Sequence, residues 1–302
     1  MLSILIPIYN YNCLELVKSL NKQALELDIK YEILAIDDCS SISFPDNREI
    51  NLLDNCTYTE LDKNIGRSCI RNRLADMAQY NNLLFIDCDS KIVSEYFLQR
   101  YLSFVKEQNI VVCGGRLYAS EPPSDKKLFL HWLYGSKREV IPAAKRQRNP
   151  YHSFMSNNFL ISKMLFNQIR FNEKISTYGH EDSLFGYEIK KRNATIYHTD
   201  NPLIHTGLET ASTILKKERD SIKNLILISE NFVDKKELAN DIKLLKYALK
   251  IDKSHLTGFL VFIFNLFNNL ICKNIQSNSP SLFLLDIYKL GYFCQQQSAQ
   301  KR

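Results

Sequence analysis

The chain lacks the residue patterns that mark metal-stapled or disulfide-stapled folds. It has eight cysteines in 302 residues, but no C-x-x-C pair and no cluster of cysteine with histidine. The sequence therefore does not indicate a structural zinc site. Single cysteines inside apolar runs are typical of small buried residues, which predicts a reducing, cytoplasmic location.

Strong charge of one sign is also absent. The formal net charge is only +6. Such a diffuse excess does not indicate nucleic-acid binding, but it suits an anionic substrate or an anionic membrane surface.

Long hydrophobic runs are few. The N-terminus has no basic leader and no small-residue cleavage site, so we predict that Leu2–Ile8 is a strand and not a signal peptide. The most apolar later stretch, residues 256–271, is shorter than the ~20 residues that span a bilayer, and asparagines interrupt it. Its phenylalanines predict a packed helix, with peripheral membrane contact or a homodimer interface as alternatives.

What the sequence does contain is an alternation of strand and helix patterns over its first two thirds. Strands are predicted at residues 2–8, 31–36, 55–61, 83–86, 110–113 and 154–161, with short edge strands at 195–198 and 202–205. Helices are predicted at residues 11–23, 65–80, 94–107, 163–169 and 181–191. This alternation is typical of an α/β fold with a mostly parallel sheet flanked by helices.

The remaining segments differ in character. Residues 121–150 are rich in proline and basic residues and are predicted to be a long loop with one short helix near 128–134. After residue 212 the patterns are helical, at residues 215–229, 234–249, 256–271 and 282–294. We therefore predict a catalytic domain at 1–212 and a C-terminal helical subdomain at 213–302.

Two carboxylates, Asp87 and Asp89, follow the apolar run 83–86 at the end of a predicted strand. In an extended segment, side chains two residues apart point the same way. Open α/β sheets bind ligands at such strand ends, and paired oxygen ligands suit a hard divalent cation. The alternative is a solvated turn or a helix cap.

Three further polar clusters lie at predicted element ends. Asp37 and Asp38 follow the second predicted strand. They are predicted either to form a turn with a helix cap or to accept hydrogen bonds from a nucleobase or ribose. Gly66 allows close backbone approach before a helix start that favours anions. Glu181 and Asp182 open a helix, where acids are favoured electrostatically, and either could serve as a general base.

The order of these clusters resembles the inverting nucleotide-sugar glycosyltransferases of family two, which have the GT-A fold. The resemblance covers residues 2 to about 207. Its motifs are Pro7-Ile8-Tyr9-Asn10, Asp37-Asp38-Cys39-Ser40, Asn64-x-Gly66 with Arg71-Asn72, Asp87-Cys88-Asp89, and Glu181-Asp182. Each motif is weak alone, but five in series are not expected by coincidence.

The resemblance implies a metal-dependent transfer of one sugar from a UDP- or GDP-sugar to a glycan or lipid-linked acceptor, in surface polysaccharide synthesis. It implies a divalent cation, Mn²⁺ or Mg²⁺, as cofactor. The implied nucleotide-binding residues are Pro7, Tyr9, Asn10, Asp37, Asp38, Asn64, Gly66, Arg71 and Asp87. The implied metal ligands are Asp89, Asp87 and His205, with His198 as the competitor of His205. The implied catalytic base is Asp182, with Glu181 as second choice.

The acceptor side is predicted at Trp132, Asn157, Asn158 and His180. A basic stretch is predicted to be a solvated mobile loop, a lid over the diphosphate, or a groove for a lipid-linked pyrophosphate acceptor; its residues are Lys137, Arg138, Lys145, Arg146 and Arg148. The chain lacks the Q-x-x-R-W motif of processive synthases, which favours single-sugar transfer.

Two other functions remain as alternatives. A nucleotidyltransferase also uses strand-end carboxylates and a metal, but the chain has no glycine-rich loop near its N-terminus. A non-catalytic sugar-nucleotide-binding protein is disfavoured because Asp87, Asp89 and Asp182 are all present.

Overall fold

A seven-stranded sheet is built around the first strand of the chain. The computed structural model describes residues 1–105 and 109–300. Strand β1 (Leu2–Ile8) pairs in parallel with β2 (Tyr31–Asp37) on one side and β4 (Asn82–Ile86) on the other. The other four strands of this sheet are β3 (Cys56–Glu60), β6 (Ile110–Cys113), β8 (Asn158–Ser162) and β9 (Thr195–His198). Their order is β3-β2-β1-β4-β8-β6-β9. Because β8 is antiparallel to both its neighbours, the sheet is mixed and mostly parallel, which confirms the predicted fold class.

Alternation along β1 supplies both layers of the core. Ile4 and Ile6 belong to one buried cluster, and Leu5 belongs to the other. This is the period of two that a strand buried on both faces requires. The first cluster includes side chains of α1 (Leu14–Glu26) and α3 (Phe97–Leu102), and the second includes side chains of α2 (Arg67–Met77), α6 (Lys163–Ile169) and α7 (Glu181–Lys191).

Stacked phenylalanines form the centre of the second cluster. The rings of Phe85 and Phe159 stack with centroids 4.8 Å apart, and those of Phe171 and Phe185 stack at 4.3 Å. Pairs of this kind contribute roughly 0.5–1.5 kcal/mol each beyond the burial of their area. The carboxyl end of β4 is therefore held in place by packed aromatic rings.

A second, smaller sheet contains the strand predicted at 202–205. Strand β10 (Leu203–His205) lies between β5 (Ser90–Lys91) and β7 (Arg116–Leu117). The prediction of an edge strand was wrong here, because two strands of only two residues cover both sides of β10. His205 pairs with Ser90 across the antiparallel β5–β10 ladder.

Several element bounds differ from the prediction. The helix predicted at 94–107 is α3 alone, and residues 106 and 107 of that prediction lie outside the described residues. The strand predicted from residue 154 begins at Asn158, because residues 156 and 157 form a turn directly before it. The segment 121–150 is more helical than predicted. It holds a 3₁₀ turn (Lys126–Leu128), α4 (Phe129–Tyr134), a π-helical turn (Gly135–Glu139) and α5 (Ala143–Arg146).

The chain divides into two compact units. The first is Met1–Ala119, Arg138–Ser176 and Glu181–Gly207, and the second is Ser120–Lys137, Thr177–His180 and Leu208–Arg302. Besides α4, the second unit contains α8 (Ala211–Asn231), α9 (Lys235–Asp241), α10 (Lys243–Lys253), α11 (Thr257–Ile275) and α12 (Leu282–Gln300). The helix predicted at 234–249 is thus two helices, because Ile242 adopts an extended backbone between them.

Helix α11 presents an apolar face to solvent. Its exposed side chains include Phe259, Phe262, Leu266 and Leu270. By length and composition alone, this 19-residue helix could cross a membrane, so the prediction that the stretch is too short was wrong. Core helices of soluble proteins pass the same test, although here only 17% of the apolar window is buried. The two partners predicted for this face, a lipid surface and a second copy of the chain, stay predictions.

Candidate functional site

The carboxyl ends of β1, β2 and β4 meet at one edge of the sheet. The register pairs Ile8 with Asp37, and the parallel β4 lies on the other side of β1. The predicted motifs directly follow these three strand ends, so the topology brings them together. Tyr9 is 51% exposed there and is therefore accessible to a planar ligand.

Asn10 and Asp37 shape the loop that follows β2. The Oδ1 atom of Asn10 accepts a hydrogen bond from the backbone amide of Ile42 at 3.0 Å. The backbone amide of Asn10 donates to the hydroxyl of Ser40 at 2.7 Å. Asp37 Oδ1 accepts from the amide of Ser40 at 2.7 Å. Both residues therefore hold backbone in place, and a direct contact with nucleotide stays a prediction for them.

Asp38 ties this loop to the start of α2. Its two carboxylate oxygens accept hydrogen bonds from the amides of Ile65 (2.7 Å) and Gly66 (2.9 Å), and Asn64 Nδ2 donates to the carbonyl of Asp38 at 2.8 Å. Burial raises the pKa of the Asp38 carboxyl, although the two amide donors oppose this. Gly66 has φ = +87°, a conformation that favours glycine. The predicted nucleotide-binding residues Asp38, Asn64 and Gly66 thus form one connected unit.

Asp87 lies between two arginines. Arg71 Nη2 is 2.7 Å from Asp87 Oδ1, and Arg116 Nη2 is 3.7 Å from Asp87 Oδ2. Arg71 is almost fully buried, and its guanidinium also lies over the ring of Phe171. The contact between Arg71 and Asp87 joins two of the predicted motifs. Arg116 was not predicted.

Asp89 and His205, the two residues that the resemblance implies as metal ligands, lie next to each other, and their role as ligands stays a prediction. The Nδ1 atom of His205 is 3.3 Å from Asp89 Oδ1. Burial acts to raise the pKa of Asp89, but His205 and the charges of Arg116 and Arg67 hold it well below its usual range. The backbone of Asp89 is fixed by Thr206, whose amide and hydroxyl both donate to the Asp89 carbonyl at 2.8 Å.

Gly207 leaves room for the carboxylate of Asp89. A Cβ atom at residue 207 would lie 2.5 Å from Asp89 Oδ2, closer than real Cβ contacts allow. We therefore expect Gly207→Ala to displace this carboxylate and, on the sequence prediction that Asp89 binds a metal, to lower activity at least tenfold, with a change in melting temperature of only a few degrees. Steady-state kinetics over a range of Mn²⁺ concentrations, beside a thermal melt, would measure both. Gly258→Ala is the matched control, because no atom lies within 4 Å of the added carbon. Wild-type kinetics for Gly207→Ala would contradict this account.

Glu181 and Asp182 have different partners. Glu181 is buried and its Oε1 atom is 3.0 Å from Arg67 Nε. Asp182 accepts one hydrogen bond, from the amide of Ser183 at 2.8 Å. Burial first, and the negative charge of Glu181 second, raise the pKa of Asp182 to about 7. Of the two acids, Asp182 thus has the properties of a general base that works near neutral pH.

Arg67 acts electrostatically on both Asp182 and Asp89. Its charge lowers the pKa of both Asp89 and Asp182. Both carboxylates therefore lie within electrostatic reach of one guanidinium, in the same compact unit.

The donor set fits a metal that also takes ligands from a substrate. No group of three or more His, Cys, Asp or Glu side chains that could hold a metal occurs within residues 1–105 and 109–300. Asp89 and His205 supply one oxygen and one nitrogen side by side, while Asp87 is engaged by arginines. Two protein donors leave most of a cation's shell to water or to diphosphate oxygens, as Mg²⁺ sites commonly do.

The residues predicted for the acceptor side are placed differently. Asn158 is buried, accepts from the hydroxyl of Tyr101 at 2.6 Å and donates to the carbonyls of Gly115 and Asn201. These bonds favour a structural role for Asn158. The neighbouring Asn157 has a buried Oδ1 with no hydrogen-bond partner in the part of the chain that the structure describes, so its side chain remains a candidate. Trp132 and His180 belong to the second unit.

Arg146 was predicted to lie in a solvated loop or, alternatively, in a lid or groove for a diphosphate, and the structure instead buries it. Its buried guanidinium donates to the carbonyls of Ile141 (3.0 Å) and Thr199 (2.9 Å), among others, and lies 2.6 Å from His198 Nδ1. His198 Nε2 in turn lies 2.9 Å from the Pro150 carbonyl. Both ring nitrogens of His198 are thus engaged, which excludes it as the competitor of His205.

Arg116, Glu139, Thr206 and Gly207 were not predicted. Arg116 lies on β7, and Thr206 and Gly207 follow β10; these strands contain two and three residues, too few to show a period, and Glu139 ends a π-helical turn. The one available signal was that Thr206 and Gly207 directly follow His205.

Comparison with known proteins agrees with this geometry. The family model for glycosyl transferase family 2 matches residues 3–170. Among solved structures, TarS of S. aureus is similar in fold, with a TM-score of 0.50 and 16% identity over 95% of this chain and 54% of that chain. The chain thus spans about half the length of that structure. TarS 1-349 in complex with UDP-GlcNAc gives 18% identity and a TM-score of 0.49, covering 98% of this chain and 92% of that chain. No curated protein matches the chain.

The family model and the fold comparison together identify a glycosyltransferase with the GT-A fold. Since the family model covers more than half of the sequence, the chain belongs to glycosyl transferase family 2.

Proposed function

We propose that this glycosyltransferase moves one sugar from a nucleotide-diphosphate sugar to an acceptor hydroxyl, with a divalent cation and with inversion at the anomeric carbon. The observation that carries the proposal is that the half-buried Asp182 lies within electrostatic reach of Arg71, whose guanidinium contacts Asp87 at 2.7 Å. The charge of Arg67 acts on both Asp182 and Asp89. We further propose residues 1–212 as the catalytic domain and 213–302 as its helical subdomain.

The nucleotide would lie over the ends of β1 and β2. Tyr9 offers an exposed ring for stacking on the base, beside Pro7. Asp38 fixes the loop through Gly66, whose φ lets the backbone approach a ligand closely. Arg71, held by Asp87, places positive charge at the first turn of α2, where the helix terminus also favours anions.

Asp89 and His205 would hold the cation, Mn²⁺ or Mg²⁺, together with the diphosphate. When bound, the cation supplies neutralisation of the charge that develops on the leaving diphosphate. Asp182 takes the proton from the acceptor hydroxyl, and the oxygen then attacks the anomeric carbon opposite the leaving group. One displacement of this kind inverts the configuration, and no covalent intermediate forms. A glycan or lipid-linked acceptor in surface polysaccharide synthesis is the predicted setting.

A thermal-shift panel tests the donor class. UDP, GDP, ADP and CDP would be added at saturating concentration with and without Mn²⁺. We expect one of UDP or GDP to raise the melting temperature in a metal-dependent way, since a ligand present at 100 times its Kd adds about 2.7 kcal/mol of stability.

The matching nucleosides are the control, because they carry the base but no diphosphate. A panel in which no nucleotide shifts the melt with Mn²⁺ would refute the proposed function. Product analysis by NMR would then test the stereochemistry, since retention at the anomeric carbon contradicts a single displacement.

A further inference from the structure

The carboxylate pair is surrounded by basic groups within its own unit. Asp87 contacts Arg71 at 2.7 Å and Arg116 at 3.7 Å, and Asp89 contacts His205 at 3.3 Å. The two carboxylates carry two negative charges, and the two arginines carry two positive charges. Glu139, which also contacts Arg116, adds one further negative charge, so Arg116 shares its positive charge between Glu139 and Asp87.

Strand pairing and a contact with Glu139 hold Arg116 in this position. It lies on β7, which pairs in parallel with the strand of His205. Its Nη1 atom donates to Glu139 Oε2 at 3.1 Å, and Tyr118 donates its hydroxyl to the same oxygen at 2.5 Å. The ring of Tyr118 also packs edge-on against that of His205, with centroids 5.3 Å apart. One set of contacts thus fixes both Arg116 and His205.

The Nε–H of Arg116 is buried and has no hydrogen-bond partner among the described residues. A guanidinium used only for packing is expected to have its donors satisfied. Its position beside Asp87, with a donor left over, indicates that the charge of Arg116 serves the site.

We propose that Arg116 is a positioning residue that compensates the charge of the carboxylate pair, so that the site takes a cation together with a nucleotide diphosphate and only weakly alone. This inference rests on the proposed function. A free divalent cation would meet two donors and a nearby guanidinium that repels it. A diphosphate brings both the missing oxygen ligands and the negative charge that reverses the balance.

Binding of Mn²⁺ measured by calorimetry and by EPR tests this without any turnover. We expect Arg116→Gln to bind free Mn²⁺ about tenfold more tightly than wild type, because a unit charge a few ångströms from a divalent cation changes affinity by about that factor even in a water-like dielectric. Arg116→Lys keeps the charge and should behave as wild type. The gain in Mn²⁺ affinity on adding UDP or GDP should shrink in Arg116→Gln.

Two further variants sharpen the test. Glu139→Gln removes the negative charge that contacts Arg116. This variant should weaken the binding of free Mn²⁺, which is the opposite of the effect expected for Arg116→Gln. Arg48→Gln removes the same charge as Arg116→Gln from an exposed pair with Glu60, and should change nothing. Should Arg116→Gln fail to fold, the sign of the Glu139→Gln effect decides the question.

The outcomes separate this inference from the proposed function. If wild-type protein binds Mn²⁺ in the presence of none of the nucleotides, the proposed function is refuted. Wild-type protein that binds Mn²⁺ with nucleotide, beside a folded Arg116→Gln whose affinity for free Mn²⁺ is unchanged or weaker, refutes only the role of Arg116. A loss of affinity in Arg116→Gln, which a merely structural role would produce, has the wrong sign for charge compensation.

Discussion

Replacing Asp182 with asparagine is expected to lower turnover by about 10²–10⁴-fold, the range that a positioned general base contributes. Asparagine keeps the size of the side chain but does not accept a proton. Nucleotide binding should persist, because the predicted donor contacts come from other strand ends. Turnover of Asp182→Asn with a native acceptor, beside the nucleotide-induced thermal shift, measures both quantities.

The pH dependence of wild type should report the same group. The base works only when ionised, so kcat/KM is expected to fall about tenfold per unit as the pH drops below about 7, and to level off above it. Glu181→Gln is the informative companion variant. The negative charge of Glu181 helps to raise the pKa of Asp182, so its removal should move this limb to lower pH.

Loss of activity in Asp182→Asn should not come from unfolding. The pKa of Asp182 is higher in the folded protein than the usual 3.8, so its ionisation destabilises the fold as the pH rises from about 4 to about 7. Asparagine does not ionise and therefore removes this destabilisation. At neutral pH the melting temperature of Asp182→Asn should stay the same as that of wild type or rise. Full turnover of Asp182→Asn would show that another group is the base.

The fold was readable from the sequence where periods are long. The bounds of β1, α6 and α7 agree with the prediction because apolar alternation and helical spacing run through each of them. The edge of the sheet where Asp38, Asp87 and Asp89 meet followed from the topology, since parallel strands share their carboxyl ends.

The wrong or missing parts depend on contacts between distant residues. Arg116 acts on Asp87, and Gly207 makes room for Asp89, across separations that no local pattern encodes. Arg146 was misjudged for a related reason. Arginines in a basic, proline-rich stretch are usually solvated, and only the folded chain shows that carbonyls of two other segments surround this one.

Arg146→Ala is expected to destabilise the protein by about 3 kcal/mol, and not to act through substrate binding. Its guanidinium donates hydrogen bonds to the carbonyls of Cys113, Gly114 and Thr199. Truncation would leave these carbonyls without hydrogen-bond donors and would open a cavity. Chemical denaturation measures the loss. Arg148→Ala removes an exposed arginine two residues away and should change stability by less than about 0.5 kcal/mol. A raised KM at wild-type stability would restore the lid hypothesis.

The neighbouring His198 gives this account a second, independent readout. Burial first, and the charge of Arg146 after it, lower the pKa of His198 from 6.5 to about 4. The unfolded chain therefore binds a proton that the folded protein does not, and stability is full above about pH 6.5 and is lost as the pH falls toward 4. At about 1.4 kcal/mol per pKa unit, the loss reaches about 3 kcal/mol. Arg146→Ala removes one cause of the shift, so its free energy of unfolding should depend less steeply on pH between 6.5 and 4. An equally steep or steeper dependence in the variant would mean that Arg146 does not keep His198 neutral.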